Sequence, residues 1–264
     1  MNIEPAVATT PLLSIEGTRA TIRLNRPGVH NRIEPADLAA LIAHFAMIEA
    51  DPDVRVMVLT GTGKSFSSGY HLGDMAERPG VEVTARADVP TFEGVASALE
   101  NLRVPTICRL NGGVYGGSTD LALCCDFRLG VDTAEMFMPA ARLGLHYYPS
   151  GMLRYVSRLG LNAAKKLFLT AEKIHAPEML AIGYLTEMLP AEQLDARVAA
   201  LAERLASMAP LAVQGVKRSL NEIARQEFDE AGALARARAS QASEDLREGL
   251  AAFHGKRAPV FHGR

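Results

Sequence analysis

Two short segments constrain this chain more than anything else in it: VRVMVL at residues 54–59 and VPTICRL at 104–110. Both read as strands: the first, short, β-branched and apolar, has the look of one in a covered sheet, and the proline of the second argues for a strand start. Each runs into a glycine-rich loop, GTGKSFSSG at 61–69 and NGGVYGG at 111–117. The second packs four glycines into six positions and then leads into an apolar stretch holding one carboxylate, Asp120.

Covered strands need helices to cover them, and helical periods stand where required. Pro35 opens a pattern in which Leu38, Leu41, Ile42, Phe45 and Ile48 recur at the helical period. Asp51-Pro52 ends it. Helices are expected near 92–102 and 117–124, with short strands at 127–131 and 136–138. Apolar alternation at 12–15 and 21–24, split by Gly17-Thr18, predicts an N-terminal hairpin. Residues 74–90 hold charges and prolines without a period, as a mobile surface loop does. From Pro149 the pattern is helical almost throughout, broken at Gly160, Pro177 and Pro210. The order predicts an α/β core carrying a helical C-terminal part.

The function classes excluded follow from composition. A net charge of −2 over 264 residues gives no field to draw the chain to nucleic acid or an anionic membrane. No run of about 18 apolar residues could span a bilayer, and the N-terminus lacks the basic region of a secretory signal. Cys108, Cys124 and Cys125 show no CxxC spacing, so buried free thiols in a cytoplasmic protein are expected. The histidines His30, His44, His175, His254 and His262 have no ligand-like spacing, and no metal site is expected.

Phosphate-loop and nucleophile templates fail on counting. Gly63-Lys64-Ser65 ends like a Walker A motif, but its first glycine would fall on Val58. GxGxxG fails at Phe66 in one loop and at Asn111 in the other, and GxSxG fails at Asp120. Two loops remain, each following a strand, each with glycine beside small residues, the second entering a helix N-terminus. If they converge, two backbone N–H groups and a helix dipole aim at one oxygen, as an oxyanion hole requires.

Four stretches now resemble a known family: NRPGVHN (25–31), DPDVRVMVLTGTGKSFSSGYHL (51–72), VPTICRLNGGVYGGSTDLALCCDFRLG (104–130) and EGLAAFHGKRAPVF (248–261). Together they are similar to the crotonase superfamily of enoyl-CoA hydratases and isomerases, over nearly the whole chain. The resemblance implies a spiral of ββα units, with residues 1–205 as the α/β core bearing an acyl-CoA site and 206–264 as a C-terminal helical trimerisation region. It implies a homotrimer or homohexamer acting on a coenzyme A thioester, with no separate cofactor. The thioester oxygen would be held by the backbone N–H groups of Tyr70 and Gly117. Val29, Ser67, Gly69, His71, Leu72, Gly116, Pro139 and Leu143 would surround the substrate. Arg26, Arg32, Lys64, Lys256 and Arg257 are candidates for the coenzyme A phosphates.

The family's hydratases carry two glutamates. The first position matches Asp120, a carboxylate shorter by one methylene. The second falls after Pro139 in MFMPAARLGL, on Ala140, which transfers no proton. Since a general acid or base contributes about 10²–10⁴ in rate, standard hydratase activity is not expected. LGLHYYPSG (143–151) puts a histidine and two tyrosines where the family has small residues. The methylmalonyl-CoA decarboxylase type also lacks the second glutamate and has a tyrosine at the position of Tyr147. Catalytic candidates are therefore Asp120, Tyr147 and His146, Tyr147 having pocket filling and His146 a structural role as the alternatives. Hydration, isomerisation, decarboxylation and a non-catalytic acyl-CoA-binding role all stay open.

Overall fold

The computed structural model describes residues 9–71, 73 and 90–264. Leu72 and all of the irregular stretch 74–90 except Pro90 lie outside them. The hairpin forms from β1 (Leu12–Glu16) and β2 (Arg19–Leu24), with Gly17 at φ 59° in its turn. Helix α1 (Pro35–Ala50) starts with a reciprocal cap. The Asp37 carboxylate accepts from the Glu34 amide at 2.8 Å, and the Asp37 amide donates to the Glu34 carbonyl at 2.9 Å, serving two otherwise orphaned N–H groups.

β3 (Val56–Gly61) and β4 (Thr106–Leu110) are the strands expected from VRVMVL and VPTICRL, and β3 is buried at every position. Both begin two residues later than their apolar runs. Pairing with β2 starts at Arg19–Val56, and Pro105 has no N–H to give β4. Helix α2 (Phe92–Asn101) is capped by the Thr91 hydroxyl, which accepts from Gly94 N.

Beyond β4 the chain winds as a spiral. β5 (Val114–Tyr115) leads into α3 (Gly117–Cys124). β6 (Phe127–Val131) and β7 (Glu135–Phe137) lead through a 3₁₀ turn (Ala140–Leu143) into α4 (Pro149–Leu159). Among the described residues, and counting β8 (Ile174–His175) and β9 (Glu187–Leu189) further along the chain, the strands form one sheet in the order β1-β2-β3-β4-β6-β9 and a second in the order β5-β7-β8. Two successive turns, β4–β5–α3 and β6–β7–α4, thus each contribute one strand to each sheet, while β1 and β2 both belong to the large one. All neighbours of the large sheet except β1–β2 are parallel.

The region after Pro149 corrects the expectation of near-continuous helix. Helix α5 (Leu161–Lys165) passes into a π turn (Lys166–Thr170). Then β8 (Ile174–His175) adds to the small sheet, and after α6 (Ala176–Ala181) β9 (Glu187–Leu189) closes the large one. Pro177 opens α6 rather than breaking a helix, because a first-turn N–H is dispensable. Helices α7 (Ala191–Ala206), α8 (Pro210–Ala224), α9 (Glu230–Ala242) and α10 (Glu244–His254) complete the chain. α8 is tied to the core by Lys217 Nζ on Asp126 at 2.8 Å and Asn221 Nδ2 on the Glu100 carbonyl at 3.0 Å. All three cysteines are buried thiols. No helix among the described residues is long and apolar enough to cross a membrane.

Candidate active site

The two glycine loops meet. Tyr115 N donates to Ser67 O at 3.0 Å and Phe66 N to Gly113 O at 3.0 Å, so the loops run alongside each other. The buried Ser67 hydroxyl donates to Asn31 O at 2.7 Å. Its one proton is thereby used, and the hydroxyl of Ser118, 2.6 Å away, donates to it. Ser67 is thus a strut between the loops. Asn31, in the left-handed region at φ 54°, holds the first loop through its amide to Thr62 O at 2.8 Å and Ser65 O at 2.9 Å. Tyr70 follows Gly69 at the first loop's end, and Gly117 is the first residue of α3, where no intrahelical carbonyl serves its N–H.

The glycines separate into distinct duties. A Cβ on Gly112 would lie 1.9 Å from the Lys64 carbonyl, and one on Gly69 2.8 Å from Tyr115 O and 3.5 Å from Gly117 N. These two let backbone approach backbone. Gly116, at φ 55° and ψ −136°, turns the chain into α3 through a region other residues avoid. On Gly117 a side chain would meet the Phe92 ring at 3.0 Å. On Gly113 it would meet the Tyr115 side chain, so backbone packing, backbone conformation and neighbouring rings explain the four glycines rather than ligand access alone.

Asp120 lies on α3 with 0% exposure. Its Oδ2 accepts from the Tyr148 hydroxyl at 2.5 Å and from Arg154 Nη1 at 2.6 Å, while Oδ1 is buried with no partner among the described residues. Burial raises its pKa above the ordinary value of 3.8, opposed by the Arg154 charge and both hydrogen bonds. Arg154 also binds Glu100, Nε to Oε1 at 3.1 Å. Arg158 and Arg225 reach the same Glu100 carboxylate at 2.9 and 3.3 Å. Two carboxylates and three guanidiniums thus form one buried network behind the loops.

Neither Glu100 nor Arg154 was singled out in the sequence. A signal exists: Gly151, Arg154 and Tyr155 are the buried positions of α4, and Glu100 shares its face of α2 with Ala96 and Leu99. A charge on the apolar face of a helix needs an opposite charge from elsewhere.

Tyr147 and Tyr148 stack, ring centroids 4.2 Å apart, in space that Gly151 leaves open. The Tyr147 hydroxyl donates to that of Tyr148 at 3.1 Å, so Tyr148 rather than Tyr147 touches Asp120. His146 is exposed, its Nδ1 2.8 Å from the Tyr147 carbonyl, outside the Asp120 network. Rings of Tyr70, Phe92 and Tyr148 follow one another at 5.6 and 6.4 Å, making an aromatic wall beside Gly117. Ala140 is buried at the start of its 3₁₀ turn, after Pro139, while Leu143 at the other end is exposed.

Val29 ends a short turn whose carbonyl accepts from the Ser68 hydroxyl at 3.0 Å. His71 Nδ1 stands 3.5 Å from Glu34 and its N–H binds Ile33 O, so it braces the loop. Of the phosphate candidates, Arg26 holds Asp37, Arg32 holds Glu34 and Arg257 holds Glu248, each within 3 Å. Lys64 and Lys256 are exposed and have no carboxylate partner among the described residues.

A spiral of ββα turns with two strand-end loops meeting at a helix N-terminus is the crotonase fold. The sequence profile of the Enoyl-CoA hydratase/isomerase family matches residues 14–264, and the chain belongs to that family. It is 30% identical over 253 residues to the crotonyl-CoA hydratase of Syntrophomonas wolfei, covering 95% of this chain and 96% of that one. To the carnitinyl-CoA dehydratase of Salmonella typhi it is 32% identical over 259 residues, covering 96% and 98%. Among solved structures, an enoyl-CoA hydratase from Bacillus anthracis superposes with a TM-score of 0.86 at 28% identity, over 97% of this chain and all of the other.

Proposed function

We propose that this protein is an acyl-CoA thioester enzyme that generates an enolate, its thioester oxygen bound by the backbone N–H groups of Tyr70 and Gly117. The convergence of the two glycine loops at Gly69 and Gly117 carries the reading. Donors placed this way contribute about 2.7–4 kcal/mol each to a developing oxyanion. Lys64 and Lys256, uncommitted to carboxylates, are the better phosphate partners.

Within that reading, a reaction other than hydration is favoured. Hydration needs one group to activate water at the β-carbon and another to handle the α-proton. Asp120 supplies one carboxylate, and Ala140 supplies none. Decarboxylation asks chiefly for an enolate sink and an apolar slot that disfavours the substrate carboxylate, and the Tyr70–Phe92–Tyr148 wall suits the second need. Purified protein incubated with methylmalonyl-CoA is expected to release carbon dioxide, and with crotonyl-CoA to hydrate at least about 100-fold more slowly than a two-carboxylate enzyme. Brisk crotonyl-CoA hydration abolished by Asp120→Asn would refute the decarboxylase reading.

Assembly as a homotrimer or homohexamer is supported by apolar side chains left exposed on the C-terminal helices: Val216, Leu220 and Ile223 on α8, Leu234 on α9, and Leu250 and Phe253 on α10, Phe253 at 81%. Light scattering should give three or six chain masses, and Phe253→Glu should lower that number. A monomeric wild type would remove the proposal.

A further inference from the structure

The enolate reading leaves one step without a route. Asp120 is fully buried, and its Oδ2 is already covered by the Tyr148 hydroxyl on one side and Arg154 on the other. Oδ1 is sealed from solvent as well, so an α-carbon could meet either oxygen only by displacing a neighbouring group. Arg154 is itself buried and held by Glu100, so it is fixed in place. Tyr148 is different: it is only partly buried, and its ring faces Phe92, whose edge lies against Gly117. Of the groups on Asp120, the phenol is the one that borders the wall beside the proposed oxygen site.

We propose that Tyr148 is the residue that meets the acyl group, and that Asp120 exchanges protons with substrate only through the Tyr148 hydroxyl. The inference rests on the acyl-CoA reading above. In the forward step the α C–H bond breaks as the phenol oxygen takes that proton. The Tyr148 O–H bond breaks in turn as its own proton passes to Asp120 Oδ2. The C–H electron pair stays on the substrate, spread onto the thioester oxygen, and nothing is oxidised or reduced. Reversal delivers a proton to the enolate carbon and restores both residues.

Two features prepare this path. Tyr147 donates its hydroxyl proton to the Tyr148 oxygen, which leaves the Tyr148 proton directed at Asp120. Burial, then the charge of Asp120, pushes the Tyr148 phenol well above its ordinary pKa of 10, so it waits protonated and passes a proton on rather than parting with it. Arg154 remains on Oδ2 throughout and keeps the acceptor in register.

The test uses butyryl-CoA in deuterated water, with exchange of the α-protons followed by proton NMR and affinity by calorimetry. Tyr148→Phe keeps the ring and its stacking. It should bind butyryl-CoA as wild type does yet lose exchange by about 100-fold or more, as should Asp120→Asn. The double variant should lose no more than either alone, because groups acting in one path are not additive. Tyr148→Phe exchanging within about threefold of wild type, or a double variant losing the product of the two, overturns the relay. Wild type that binds butyryl-CoA without exchange overturns the relay and leaves a binding protein. Wild type that does not bind removes the acyl-CoA reading itself.

Discussion

Replacing Glu100 by glutamine will destabilise the fold by about 3–5 kcal/mol at neutral pH, since removing one partner of a buried ion pair leaves the other charge uncompensated. Here Arg158 would lose its carboxylate outright, while Arg154 would keep Asp120 and Arg225 would keep Glu227. Glu100 is 5% exposed and serves Arg154, Arg158 and Arg225 at once. The amide oxygen can accept at most two of these hydrogen bonds and neutralises none of the charges. Burial alone would raise the Glu100 pKa. The charges of Arg154, Arg158 and Arg225 outweigh it and hold the pKa below its ordinary 4.5.

The sign of the pH dependence follows. A depressed carboxyl stabilises the fold above its unfolded pKa, and that stability is lost as pH falls through the lower folded value. The gap between wild type and Glu100→Gln should therefore be full at pH 7 and close well below pH 4.5. Asp120 behaves oppositely. Its raised pKa means ionisation costs stability as pH climbs from 3.8 through the folded value, so Asp120→Asn should be no less stable than wild type at pH 7 while losing activity. Urea unfolding of the three proteins at several pH values checks both. A Glu100→Gln loss below about 1 kcal/mol at pH 7, the worth of an exposed pair, would mean that solvent screens the network.

The second large effect is expected of Gly69→Ala. With φ at 99° the backbone sits where an L side chain is strained, and the added methyl would stand 2.8 Å from Tyr115 O and 3.4 Å from Gly116 Cα. Nothing on that side can swing away, because both obstacles are main chain. The expected result is a stability loss of about 1–3 kcal/mol, with turnover down by about 10²–10³ as the proposed donors at Tyr70 and Gly117 are forced apart. Gly17→Ala is the control. It has a similar positive φ of 59° with open space around it, in a hairpin turn remote from the loops. It should lose stability alone, and equal turnover in the two variants would detach the loop convergence from function.

Much of the architecture can be read from pattern. Both covered strands, α1, α2 and α3 stand within two residues of their expected places, because each announces itself through a period or a β-branched run longer than a turn. β5, β8 and β9 do not, being two or three residues long. Such segments carry no period of their own and become strands only because a neighbour offers a ladder. β9, for example, pairs with β6 at Leu129–Glu187. The stretch 74–90 belongs to neither group, lying outside the described residues apart from Pro90.

The site divides in the same way. Asp120, Tyr70, Gly117 and the vacancy at Ala140 are legible because backbone conformation and side-chain chemistry are local properties, written residue by residue. Who touches Asp120 is not local. Tyr148 and Arg154 arrive from 28 and 34 positions away, and Arg225 reaches Glu100 across 125. Amino-acid order set the supply of glycines, carboxylates and guanidiniums. Folding selected which buried charges would face one another, since desolvation makes a lone interior charge too costly to leave unpaired, and it brought the Tyr148 phenol onto Asp120.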